Sequence, residues 1–205
     1  MAEAPTHASE MHAALELESA AQRALLEGRR ERAQRLFGEA AARYRASWEL
    51  ASPTSYGRLI GMQKAAILAG GGEEQALYVR SALAQLQELT PAAAYALAIA
   101  DLLLDDDAGA LARAKAMRAG GGAFERTAEA IEALAQGQAQ RYEAAVRAIV
   151  ADFESRREHL TGVAIADTAL MLQELAARRA IRVDLQSDLL GRGVQGQGAE
   201  AGGER

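Results

Sequence analysis

The sequence predicts an all-α fold of about nine short helices, stacked as antiparallel hairpins, on three observations. The chain of 205 residues is dominated by Ala, Leu, Glu, Gln and Arg, the strongest helix formers. Glycine or aspartate clusters and two Ser/Thr-Pro pairs cut it at Gly28, Ser52-Pro53, Gly70-Gly71-Gly72, Thr90-Pro91, Asp105-Asp106-Asp107, Gly120-Gly121-Gly122, Gly137 and Thr161-Gly162. Between the cuts, apolar residues recur at three- and four-residue intervals, the period of a helix face.

The first helix is expected from Ser9 to Glu27, with Met11, Ala14, Leu15, Ala21 and Leu25 inward, and ends at Gly28, where glycine takes the left-handed conformation of a helix C-terminus. The second spans Arg30 to Leu50, with Ala33, Phe37, Ala40, Tyr44 and Trp48 on one face. Ser52-Pro53 reads as an N-cap with proline at the first helical position, which opens a third helix from Pro53 to Ala69. The fourth begins at Glu73 and Glu74, carboxylates that suit the positive end of a helix dipole. Its face is Ala76, Val79, Leu83 and Leu86. Thr90-Pro91 repeats the cap signal and starts a helix to Leu104 that is apolar around nearly its whole circumference, hence central. Three further helices are expected at Ala108–Ala119, Ala123–Gln136 and Gln138–Arg157. The ninth, Gly162–Arg179, is again mostly apolar. Val183-Asp184-Leu185 is expected to dock as an extended piece. The domain plan is therefore a flexible N-terminus over 1–8, one helical domain over 9–190 and a disordered tail over 191–205 with six glycines.

Two hairpins are alike. Leu25-Leu26-Glu27-Gly28 and Leu134-Ala135-Gln136-Gly137 each precede an apolar residue nine positions after the glycine (Phe37, Val146) and an aromatic sixteen after it (Tyr44, Phe153). Gly28, Ala33, Phe37 and Ala40 follow the glycine turn and small–aromatic–small second helix of a tetratricopeptide repeat, which this half-repeat resembles. The resemblance implies hairpins stacked in a right-handed superhelix with a concave groove. It implies no particular ligand-binding residues here, because Tyr142 stands where the second hairpin would carry the small residue.

Composition excludes several functions. There is no cysteine, so disulfides and thiolate metal sites are ruled out. A net charge of -5 opposes general nucleic-acid or anionic-membrane binding. Lysine occurs only at Lys64 and Lys115; the other side-chain cations are arginines, a bias that suits a high-GC bacterial genome. Met1–Pro5 lacks an apolar run, and Ala92–Leu104 is too short to span a bilayer, so a cytoplasmic protein is expected. The scattered His7, His12 and His159 form no metal motif. The glycine triplets lack the flanking strand and Lys-Ser/Thr of a phosphate loop, and Asp105-Asp106-Asp107 reads as a helix cap. No cofactor, metal or catalytic constellation is expected.

Three residues stand out. Asp101 and Asp167 interrupt the two most apolar helices, and a buried carboxylate must be paired or protonated. An Arg or Tyr partner is expected for each; the functional alternative is a polar anchor inside a groove. Trp48 ends the aromatic stripe and could be exposed for binding. The expected function is a non-enzymatic adaptor or regulatory module that binds a protein or peptide partner in a helical-repeat groove. The alternative is a compact bundle that binds a small apolar ligand near helices five and nine, or forms a homodimer.

Overall fold

The punctuation sets the helices of the computed structural model, in which residues 4–191 are described. Among these residues there are nine α-helices and no strand: α1 (His7–Leu26), α2 (Arg30–Leu50), α3 (Gly57–Leu68), α4 (Glu73–Ala82), α5 (Pro91–Leu103), α6 (Asp107–Met117), α7 (Gly122–Ala135), α8 (Ala139–Ser155) and α9 (Asp167–Arg178). Short 3-10 turns lie at Arg118–Gly120 and Asp188–Leu190. No helix among these residues is long and apolar enough to cross a membrane. The expected disordered tail lies, from residue 192 onward, outside the described residues.

The two hairpins singled out by sequence share one turn. At Gly28 (φ +77°) the amides of Gly28 and Arg29 donate to the carbonyls of Leu25 and Ala24, at 3.0 and 2.8 Å. At Gly137 (φ +65°) those of Gly137 and Gln138 donate to Leu134 and Ala133, at 3.0 and 2.9 Å. These paired bonds satisfy the free carbonyls of the preceding helix. Asp105 makes the same reversal between α5 and α6 with φ +56°, a conformation aspartate tolerates better than most side chains. Asp106 then caps α6 by accepting from the Gly109 amide at 2.9 Å, and Thr90 caps α5 through the Ala93 amide at 3.2 Å.

Three helix starts differ from expectation by more than one residue. α1 begins two residues early, because Thr6 and Ser9 form a reciprocal capping box. α3 begins at Gly57 rather than Pro53: the Ser52 hydroxyl bonds that of Thr54 at 3.0 Å and leaves residues 52–56 as a turn. α9 begins at Asp167 rather than Gly162, because residues 161–166 are spent on other contacts. Ser19 donates to the Thr161 carbonyl at 3.0 Å, the Thr161 hydroxyl bonds Gln22, and the Ala166 amide donates to Leu189 at 2.9 Å. The returning chain thus lies against α1, and Leu185 and Leu190 are buried beyond it.

Successive helices pack on one another, and α3, α5 and α7 also form a row through α3–α5 and α5–α7 contacts. α9 packs against α3, α7 and α8, so it covers one side of that row. α5 is the hub: every residue from Ala93 to Leu103 is buried, as its all-round apolarity predicts. α2 and α3 approach closely at Gly61, where a Cβ would stand 2.8 Å from the Tyr44 ring.

Gly61→Ala is expected to lower thermal stability by about 1–3 kcal/mol, since overpacking Tyr44 outweighs the helix propensity gained. Gly57→Ala, with nothing within 4 Å of the added methyl, should leave the melting temperature equal or higher in the same thermal scans.

Candidate functional site

One polar network joins four helices. Lys64 of α3 donates from Nζ to Asp167 Oδ2 and to the Thr168 hydroxyl at 3.2 Å. The two charged side chains are only 13 % and 18 % exposed. Asp167 is the first residue of α9, where the helix dipole also favours its charge, and its other oxygen accepts from the Thr168 amide at 2.6 Å. On the α1–α2 side, the Tyr44 hydroxyl donates to Glu18, which also accepts from Gln22 at 3.4 Å. Burial alone would lower the Lys64 pKa, but the Asp167 and Glu18 carboxylates outweigh it and hold the ammonium above the ordinary lysine value. Burial pushes Glu18 up, against the opposing pull of Lys64 and the Tyr44 hydrogen bond.

Beside this network lies a pocket of about 180 Å³ between α3, α5, α7, α8 and α9. Its walls include Ile60, Tyr95, Phe124, Ile149 and Phe153, with Thr168 reaching it from the lysine side. Tyr95 and Phe124 meet edge to face, with centroids 6.3 Å apart. The charged residues on its lining are Arg126, Asp152 and Arg156. Asp152 accepts from Arg126 on one oxygen and from Arg156 on the other, at 3.1 and 2.5 Å. The Arg156 guanidinium also lies 3.8 Å from the centre of the Phe153 ring. Sequence reading expected an apolar cavity near helices five and nine if the fold were a closed bundle.

The three residues singled out by sequence are not brought together. Asp101 is 2 % exposed and faces Arg80 and Arg113, each 3.7 Å away through Nε. Its pKa is raised, chiefly by burial. Gly109 makes room for it, since a Cβ there would stand 2.8 Å from Asp101 Oδ2. Asp167 faces a lysine, where an Arg or Tyr was expected. Trp48 is half-buried rather than bare, its ring 6.2 Å from that of Tyr56. Among the described residues, no three His, Asp or Glu side chains are grouped to hold a metal ion.

Sequence reading missed Lys64 and Glu18, although the signal was present. Glu18 sits seven residues after Met11 and seven before Leu25, squarely on the α1 stripe. Lys64 falls between Ile60 and Ile67, on the apolar face of α3. An ionisable residue on an otherwise apolar stripe points to a partner in the core, here Tyr44 for Glu18 and Asp167 for Lys64.

Lys64→Met or Asp167→Leu alone should each cost about 3–5 kcal/mol, because either strands a largely buried partner. Lys64→Met/Asp167→Leu should recover most of that loss in a denaturant double-mutant cycle. Glu18 adds a pH dependence. Its pKa is raised in the fold, so the native state holds the proton more tightly than the unfolded chain. Stability from this group is therefore fully present below the unfolded value of 4.5 and is lost as pH rises from there through the folded pKa. Glu18→Gln should flatten that limb in melting temperatures measured from pH 4.5 to 8.

No family model matches this chain, and no curated protein or solved structure matches it.

Proposed function

We propose that the protein is a non-enzymatic binding protein that takes a small apolar ligand in the pocket between α3, α5, α7, α8 and α9. The observation that carries this reading is the pocket itself. It is lined almost wholly by apolar surface from five helices, at the place where the closed-bundle alternative expects one. The charged groups on its lining are tied to one another, both arginines on Asp152, which leaves no base free for chemistry there. A groove-binding adaptor has less support. α9 occupies one side of the α3–α5–α7 row, and a peptide in the concave face of a repeat stack would need such a side open. A larger hollow of 590 Å³ over α1 and α2, rimmed by Glu16, Glu39 and Arg43, is open and polar-edged as a groove would be, but it is formed by two helices only.

Toluene is a suitable first probe. At about 0.6 kcal/mol for each of about seven heavy atoms, inside the range open to small ligands, it should bind with Kd of ~1 mM. Titration followed by amide chemical shifts should move the signals of Tyr95, Thr127 and Thr168. Ala123→Trp, which fills the pocket from its exposed edge, should abolish those shifts while keeping the fold. Shifts scattered over the surface, or unchanged in Ala123→Trp, would refute the reading.

A further inference from the structure

We propose that the preferred ligand is a single-ring aromatic carboxylate, with its ring in the pocket and its carboxylate on Arg126. This rests on the pocket reading above and adds the chemical class. Size comes first. A dry protein cavity of about 150 Å³ holds a benzene molecule, and this one measures about 180 Å³. It therefore takes one ring with a small substituent, and two fused rings only tightly. The walls favour an aromatic guest, because Tyr95, Phe124 and Phe153 offer ring edges and faces to a third ring.

Charge selects the head group. The lining carries two guanidiniums and one carboxylate, so one positive charge is left over. Both oxygens of Asp152 are already engaged by arginine. Arg156 spends two of its nitrogens on Asp152 and lies over Phe153. Arg126 spends a single N–H on Asp152, and the four others of its planar fork remain to meet an anion. Its side chain is 35 % exposed, so the head group can stay partly hydrated while the ring is buried. Lys64 and Asp167 behind Thr168 cancel one another, and burial raises the Glu18 pKa, which disfavours a second negative charge there.

The test compares benzoate with benzyl alcohol, which match in size and differ in charge, by calorimetry at pH 7.5. A charge-assisted hydrogen bond predicts that benzoate binds about ten- to a hundredfold tighter. Raising the salt from 20 to 500 mM should weaken benzoate and leave benzyl alcohol unchanged. Arg126→Met should bring the two ligands to equal affinity with the Asp152–Arg156 pair intact; if that variant does not fold, the salt comparison on the wild-type protein decides alone. If benzyl alcohol binds as well as benzoate and Ala123→Trp abolishes both, the acid class is wrong while the pocket reading stands. If neither ligand binds, both fall.

Discussion

A lysine and two carboxylates cannot be taken into an apolar bundle unless each finds a polar partner, and that requirement organises this molecule. Lys64 on α3 lies where α9 begins and where the α1–α2 hairpin presents Tyr44 and Glu18. Each partner comes from a distant part of the chain; Lys64 and Asp167 are 103 residues apart. The hairpin turns fix local geometry, but they say nothing about where the ninth helix must go. The pairing supplies that information. An α9 shifted by a turn would leave a buried ammonium and a carboxylate each short of its partner, at a cost larger than most packing defects. Apolar contacts provide most of the stabilising energy, and the ion pair selects which apolar arrangement is adopted.

Placing α9 has a functional consequence. Stacked hairpins with α3, α5 and α7 in a row could have presented an open side, as a peptide-binding repeat does. Here α9 covers that side, and residues 161–166 and 185–190 carry the chain back to α1. What remains between the row, α8 and α9 is a small apolar space with an arginine-rich edge. Its dimensions and charge are what the proposed ligand reading rests on. The same closure explains why Asp101, the other buried acid, is remote from it: that carboxylate holds α5 against α4 and α6 through Arg80 and Arg113.

Much of this was legible in the sequence, and the reasons are physical. Helix identity was readable because propensity, periodicity and turn chemistry agree, as at Gly28, Thr90, Asp106 and Gly137. The start of α9 was not. Gly162 looks like a helix boundary from local signals alone, whereas tertiary bonds from Thr161 to α1 and from Ala166 to Leu189 decide the outcome. The start of α3 was misread for a related reason: Ser52 followed by proline is an N-cap pattern, yet its hydroxyl closes a turn on Thr54. Asp167 was recognisable as an acid among apolar neighbours, but its partner was not, because Lys64 declares itself only when each helix is checked for charge on its apolar stripe. The apolar helices five and nine suggest roughly where a pocket could lie, but no residue marks its walls. The pocket is a volume missing between five helices, and Phe124, Ile149 and Phe153 read as ordinary core positions.

α9 is then part of the core, held there by Lys64 and Asp167, and not a strap lying in an otherwise open groove. Native-state hydrogen exchange tests this most directly. The amides from Leu172 to Ala176 should exchange as slowly as those of Ile99 to Leu103 in α5, through global unfolding. Fast exchange confined to α9, with α3, α5 and α7 still protected, would contradict it.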